Sequence, residues 1–163
     1  AKSVTNSGVT KYRWGATWKD EHTNFVYSNC PNNILVLRFA DVLLMYAEAC
    51  NELGESREAL DKLEMVRARA RRTVHPADMT VGLPEITETG KEKLREIIWN
   101  ERRIELALEG HRFFDLIRAD KVVPGYAEKM MKAHGKTNFS IAKHATFFIP
   151  QKQVDISQGV LKN

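Results

Sequence analysis

The sequence is poor in cysteine and histidine, and it has no long apolar run. Two cysteines cannot form a disulfide framework, and neither has the CxxC spacing or the companion histidine of a metal site. The five histidines are scattered without HxxxH or ExxH spacing, so a metal site on one helix has no support. The longest apolar stretch, 34–50, is interrupted by Arg38, Asp41 and Glu48, which excludes a transmembrane helix there.

Motifs of nucleotide binding and of nucleophilic catalysis are also missing. The sequence contains no Walker loop, no GxSxG and no GxGxxG. Lysine and arginine total 25 against 21 acidic residues, and this net charge of +4 is too small to indicate nucleic-acid binding by itself. We therefore predict no cofactor, no metal and no nucleic-acid partner.

The N-terminal segment is polar and irregular, and it begins without methionine or an apolar signal region. We expect a mature product or a fragment of a longer protein. Tyr12, Trp14 and Trp18 cluster here, and aromatic rings on a loop can stack on the apolar faces of sugars. They can equally anchor the loop as a lid over a core. We divide the chain into an irregular aromatic-rich segment, 1–32, and a helical domain, 33–163.

The strongest pattern in the sequence is the helical periodicity of its apolar residues. Apolar residues at spacings of three and four predict a first helix over 33–53, buried on most sides, and a second helix capped by Ser56. A capping box of Thr89 and Glu92 predicts the start of a third helix, which ends at Gly110. Two shorter helices and an extended run are predicted beyond it, over 111–119, 126–133 and 147–150.

The first two helices are similar to one hairpin of the tetratricopeptide type. The small residues Ala47 and Ala59 let the helices approach closely, and Leu53 and Gly54 make the turn. A solenoid of such hairpins needs about three copies to bury its core, so we expect the missing copies outside this sequence. The predicted fold class is mainly α, with tetratricopeptide-like helical hairpins and irregular loops.

A cluster of arginines ends the second helix, at Arg67, Arg69, Arg71 and Arg72. One explanation is a patch that binds phosphate or anionic lipid. The other is that cations near a helix C-terminus interact with its carbonyls and its dipole. We favour the second explanation, because no aromatic residue or glycine-rich loop accompanies the cluster.

Glu101, Glu105 and Glu109 are spaced four residues apart on the third helix. Paired carboxylates can hydrolyse a glycosidic bond, but they must face each other across the sugar. Acids on one helix face point the same way, so we favour a salt-bridged scaffold over catalysis. The candidate partners are Arg102, Arg103, Arg112 and Arg118.

Four sequence motifs, in this order, resemble those of the SusD/RagB family. They are RFADVLLMYAEA at 38–49, VRARA at 66–70, ERRIELALEGHRFFDL at 101–116 and FIPQ at 148–151. The resemblance spans residues 32–156 and covers the C-terminal portion of a full family chain.

The resemblance implies a non-catalytic lipoprotein that captures glycans on the outer face of a Gram-negative outer membrane. Such a protein serves polysaccharide utilisation by passing sugar to a SusC-type TonB-dependent transporter, above which it sits as a lid. Membrane attachment would use an N-terminal lipid that is absent from this chain. The charged motif residues would then lock the third helix to its neighbours. These residues are Arg38, Asp41, Glu48, Arg67, Glu101, Arg102, Arg103, Glu105, Glu109, Arg112 and Asp115.

Two other functions stay open at this point. A helical adaptor of the tetratricopeptide type would bind a protein partner and no sugar. A glycosidase would use Glu101, Glu105 or Asp115, which the one-sided placement of the acids disfavours. We favour glycan capture, with the three aromatic residues of the N-terminal segment as our candidates for sugar contact and with no catalytic residue.

Overall fold

The computed structural model describes residues 36–74 and 83–162, in which helices are joined by turns and irregular segments. Seven helices and no strand occur in the described residues, which confirms the mainly α prediction. The helices are α1 (Phe39–Leu53), α2 (Ser56–Val74), α3 (Lys91–Glu105), α4 (Arg112–Val122), α5 (Tyr126–Ala133), α6 (Ile141–His144) and α7 (Gln151–Ile156).

Helices α1 and α2 form the predicted hairpin. Gly54 turns the chain with a φ of 87°, which a residue without Cβ adopts at little cost, and its N–H donates to the Asn51 carbonyl at 3.1 Å. The N–H of Glu55 donates to the Cys50 carbonyl at 2.8 Å. The small side chain of Ala47 is fully buried, as is that of Ala59 on α2, so the two helices pack closely.

Helix α1 is shorter and less buried than predicted. It begins at Phe39, with Arg38 as its N-cap in extended backbone, so the predicted start near residue 33 is wrong for the described residues 36–38. Met45 and Tyr46 are 44% and 47% exposed, and burial on most sides is therefore also wrong. The reason is that α2 and α3 cover one side of α1, and described residues do not cover the other.

The predicted caps of α2 and α3 are wrong as well. Ser56 is already helical, and its hydroxyl donates to the carbonyl of Thr89 at 3.0 Å. Gly90 is the N-cap of α3, and no side chain caps it. The capping box of Thr89 and Glu92 does not form, because the helix begins one residue later than it requires, with Gly90 as the N-cap. The Gly90 N–H donates to the carboxylate of Glu88 at 2.8 Å.

Helix α3 ends before the predicted glycine, and a turn over 106–110 follows it. In this turn Leu108 has a φ of 65° and Gly110 a φ of 82°. Apolar side chains near this turn are unevenly buried: Ile104 and Leu108 are 58% and 69% exposed, whereas Leu106 is buried.

The first apolar cluster lies where α1, α2 and α3 meet. Its largest buried side chains are Leu44 of α1, Leu63 and Val66 of α2, and Leu94 and Ile98 of α3. Each is at most 2% exposed, so full burial of these side chains stabilises the hairpin and its contact with α3.

The second apolar cluster lies on the other side of α3. Trp99 packs edge-to-face on Tyr126 of α5, with ring centroids 4.8 Å apart, and Leu116 and Ala119 of α4 complete the contact. Ile98 belongs to the first cluster and Trp99 to the second, so consecutive residues of α3 pack into different clusters. Helix α3 therefore links the hairpin to α4 and α5.

The C-terminal part of the described chain is the least buried. Helix α5 has the predicted bounds, and 147–150 forms no strand. Helices α6 and α7 were not expected, and neither contributes a buried residue. Among the described helices none is both long and apolar enough to cross a bilayer.

Candidate functional site

Arg102 of α3 binds carboxylates from two other helices. Its Nη1 donates to Oδ1 of Asp41 on α1 at 2.6 Å, and its Nη2 donates to Oδ1 of Asp115 on α4 at 3.2 Å. The side chains of Arg102 and Asp41 are each 5% exposed. The fork of the guanidinium group lets one residue fasten α3 to both helices.

Glu48 of α1 makes a second connection. Its Oε1 accepts the Nε1–H of Trp99 at 2.8 Å, and its two oxygens accept N–H groups from Arg118 of α4. Arg118 also donates from Nε to Asp115 at 3.0 Å. Burial opposes the charge of Arg118, but its bonds to Glu48 and Asp115 outweigh burial and raise its pKa.

The arginines at the end of α2 bind groups outside their own helix end. Arg67 donates to Glu101 of α3 at 2.7 Å and to the Pro84 carbonyl at 2.9 Å. Arg71 donates to the Leu83 carbonyl at 2.7 Å. Our preference for an interaction with the α2 dipole therefore needs correction, because these two side chains reach across to α3 and to the segment before it.

Arg38, just before α1, holds the end of α3 and the turn after it. Its Nη1 donates to Glu105 at 2.6 Å, and its Nε donates to Glu109 at 2.8 Å. Arg69 of α2 also donates to Glu105, at 2.6 Å. The partners of these acids thus come from residues before α1 and from α2, not from α3 and α4 as predicted, because this face of α3 is turned toward the hairpin.

Two of the motif arginines, Arg103 and Arg112, form no ion pair with any described residue. Nη1 of Arg103 lies 3.0 Å from Nε2 of His134, and its Nε is buried without a hydrogen-bond partner in the described structure. Arg112 has no hydrogen bond to a described residue; burial lowers its pKa, and the neighbouring Arg103 charge lowers it further. Neither therefore locks α3 through an ion pair, contrary to expectation.

Both arginines line an open pocket of about 220 Å³ formed by α3, α4 and α5, which we call the arginine pocket. Lys129 adds a third cation, and Glu96 is the acidic residue of the lining. Trp99 and Tyr126 provide aromatic surface, and burial raises the pKa of the Tyr126 phenol. The arginine pocket therefore combines excess positive charge with an aromatic lining.

The predicted sugar-contact residues Tyr12, Trp14 and Trp18 lie outside the described residues. Residues 36–74 and 83–162 contain no group of three histidine, cysteine, aspartate or glutamate side chains placed to hold a metal ion.

Sequence reasoning missed Trp99 and His134, and it named Arg118 as a partner for the acids of α3, whereas Arg118 binds Glu48 and Asp115. Arg118 carries a usable signal, since it follows Asp115 by three residues and such pairs meet on one helix face. Trp99 and His134 meet their partners only through tertiary packing.

Three curated relatives, all from Formosa agariphila, are similar to part of the chain. SusD-like protein P38 is 39% identical over 92 residues, which cover 56% of this chain and 18% of the relative. SusD-like protein P2 is 40% identical over 90 residues, 53% of this chain and 17% of the relative. SusD-like protein P25 is 39% identical over 101 residues, 62% of this chain and 18% of the relative. The matched segment thus spans less than a fifth of each relative.

A family comparison covers far more of the sequence. No solved structure gives a significant match. The family described as the SusD family matches residues 2–163, which is nearly the whole chain and includes all four motifs. The chain therefore belongs to the SusD family.

Proposed function

We propose that this chain is part of a protein that captures oligosaccharides or polysaccharides at the cell surface for nutrient uptake. The observation that carries the proposal is the match to the SusD family over residues 2–163. The chain supplies the helical hairpin and the ion-pair network, and sugar is bound without being cleaved.

The state of the acidic residues supports binding without catalysis. Glu101, Glu105 and Asp115 each bind at least one arginine, and their side chains are 8%, 11% and 12% exposed. A glycosidase needs one carboxylate free to protonate the glycosidic oxygen and another facing it across the bond. Carboxylates held in ion pairs between helices are poorly placed for either role.

We further propose that Tyr12, Trp14 and Trp18 contact the sugar. Titrating the chain with a panel of polysaccharides, while following tryptophan fluorescence, tests this directly. We expect a saturable change with at least one polysaccharide, because stacking on a sugar alters the surroundings of an indole ring. Trp14→Ala and Trp18→Ala should each remove most of that change.

A matched control is Phe114→Ala, which removes an aromatic ring that is 68% exposed on α4 and keeps all three tryptophans. It should retain the saturable change if the sugar lies on the N-terminal residues. No saturable response to any polysaccharide would contradict glycan binding by this chain. Release of reducing ends during the titration would contradict binding without catalysis.

We also propose that the longer protein is lipid-anchored on the outer face of the outer membrane and delivers sugar to a SusC-type TonB-dependent transporter. Family membership supports this partner and location. Cross-linking in isolated outer membranes should join the protein to a TonB-dependent transporter. Suppose instead that the protein is cross-linked to a different partner in the outer-membrane fraction and binds no glycan. That result would favour the adaptor function.

A further inference from the structure

The arginine pocket is chemically incomplete, and this distinguishes it from the rest of the motif. Arg38, Arg67 and Arg102 each bind at least one carboxylate at 2.6–2.8 Å. Arg103 and Arg112 bind none among the described residues, and both line the same pocket. The two unpaired guanidinium groups of the motif are therefore neighbours.

This arrangement has an electrostatic cost. Burying a cation without an anionic partner is unfavourable, and two guanidinium groups side by side also repel each other. Burial is the main cause of the lowered pKa of Arg112 and the Arg103 charge adds to it, while Tyr126 and Asp115 oppose the shift without cancelling it. The buried Nε of Arg103 has an unused N–H. An anion between the two groups would remove both penalties.

The geometry of guanidinium selects the kind of anion. Its planar fork donates two parallel N–H groups, which match the paired oxygens of a carboxylate or a sulfate. The lining contains three cations, Arg103, Arg112 and Lys129, against the single acid Glu96. The pocket volume of about 220 Å³ lies just below the range of about 300–1,000 Å³ that is usual for small-molecule sites.

We propose that Arg103 and Arg112 bind a carboxylate or sulfate group carried by a saccharide, with the sugar ring beside Asn100. The assignment of a saccharide rests on the proposed function. Tyr126 is only 9% exposed because its ring packs on Trp99, so the exposed amide of Asn100 is the lining group best suited to the hydroxyls of a sugar. The chain therefore binds acidic glycans in preference to neutral ones.

The test uses the full chain with Trp14→Phe and Trp18→Phe, which leaves Trp99 in the arginine pocket as the one tryptophan. A galacturonic acid trimer is titrated against a galactose trimer, by calorimetry and by Trp99 fluorescence. We expect the acidic trimer to bind saturably and the neutral trimer at least tenfold more weakly. Inorganic sulfate alone is expected to compete with the acidic trimer but to bind more weakly than it does.

Two variants locate the binding site. Arg103→Gln and Arg112→Gln should each weaken binding of the acidic trimer at least tenfold, since a charge-assisted bidentate contact is worth about 1.5–3 kcal/mol. Arg57→Gln, at an exposed position on α2, removes the same charge and should leave the affinity unchanged. Without ligand, both pocket variants should melt at or above the temperature of the parent chain, because each removes an unpaired cation.

Equal affinity for the two trimers, or unchanged affinity in Arg112→Gln, would overturn the inference. A clearly lower melting temperature of both variants without ligand would also overturn it, because the arginines would then serve folding. If polysaccharides bind the unaltered chain while the acidic trimer does not, this inference fails and the proposed function stands. If neither the polysaccharides nor the trimers bind, the proposed function fails with it.

Discussion

At the scale of single residues, the network depends on the shape of arginine. Arg102 uses Nη1 for Asp41, and Nη2 together with Nε for Asp115. A lysine has one ammonium group at the end of a flexible chain, so it cannot hold two carboxylates on separate helices at once in this geometry. The identity of this cation therefore matters as much as its charge.

We expect Arg102→Ala to lower the free energy of unfolding by about 3–5 kcal/mol, because it leaves the buried carboxylate of Asp41 without its partner. Urea unfolding followed by circular dichroism measures this loss. Arg102→Lys should recover only part of it.

Lys93→Ala is the control for that measurement, since its side chain is 78% exposed and lies 3.7 Å from Glu88. Surface pairs of this kind contribute little, and we expect a change within about 0.5 kcal/mol. A loss below about 1 kcal/mol in Arg102→Ala would show that the buried pair does not hold the helices together.

At the scale of elements, the turn over 106–110 contains an unusual backbone conformation. Leu108 has a φ of 65°, in the left-handed region, where a side chain crowds the following carbonyl at a cost of about 1–2 kcal/mol. Gly110 has a φ of 82°, and no atom lies within 4 Å of the place where a Cβ would be. The penalty for a side chain at Gly110 would therefore come from the backbone alone.

Leu108→Gly and Gly110→Ala should change stability in opposite directions. We expect Leu108→Gly to raise the melting temperature slightly, since relief of strain exceeds the added freedom of the unfolded chain. Gly110→Ala should lower the free energy of unfolding by about 1–2 kcal/mol. Thermal melts of both variants provide the comparison, and a destabilised Leu108→Gly would mean that contacts of the leucine side chain outweigh its backbone strain.

The sequence predicts the helices better than it predicts their ends and their ion-pair partners. The periodicity of α2 and α3 predicts the residues that they give to the first apolar cluster, because local spacing determines which face is apolar. On α1 it predicts the wrong face, since Phe39, Tyr46 and Leu53 of its apolar stripe are 68%, 47% and 76% exposed. It fails at helix ends: α3 begins one residue after the expected Thr89 cap, with Gly90 as its N-cap. It also fails for ion-pair partners: Arg38 and Glu109 are adjacent only after α1 and α3 have packed.

At the scale of the whole molecule, stability depends on pH, because Glu52, Glu58 and Glu128 have a pKa below the ordinary carboxyl value. The hydrogen bond from Arg95 is the main cause of the lowered pKa of Glu52. The backbone N–H of Ile141 is the first cause of the lowered pKa of Glu128. A carboxyl group whose pKa is lower in the folded state stabilises the fold at pH above its unfolded-state pKa. This stabilisation is lost as the pH falls through the folded-state pKa.

We therefore expect the melting temperature of the chain to fall between about pH 5 and about pH 3, and to fall less in Arg95→Gln. The variant lacks the cation that favours ionised Glu52, so acid removes less stability from it. Circular dichroism melts across this range measure the difference. Arg57→Gln, exposed on α2, carries the same charge change and should follow the parent chain. Equal acid sensitivity in Arg95→Gln would contradict the role of this pair.

The distance along the chain between ion-pair partners has a kinetic consequence. The α1–α2 turn joins neighbours, whereas Arg118 and Glu48 are 70 residues apart and Arg102 and Asp41 are 61 apart. Closing such long loops costs entropy before any bond forms, so these pairs are expected to assemble late in folding. Late contacts act on the unfolding rate: Arg102→Ala should unfold faster in rapid-mixing experiments while its folding rate hardly changes. A slowed folding rate would instead place the pair in the folding nucleus.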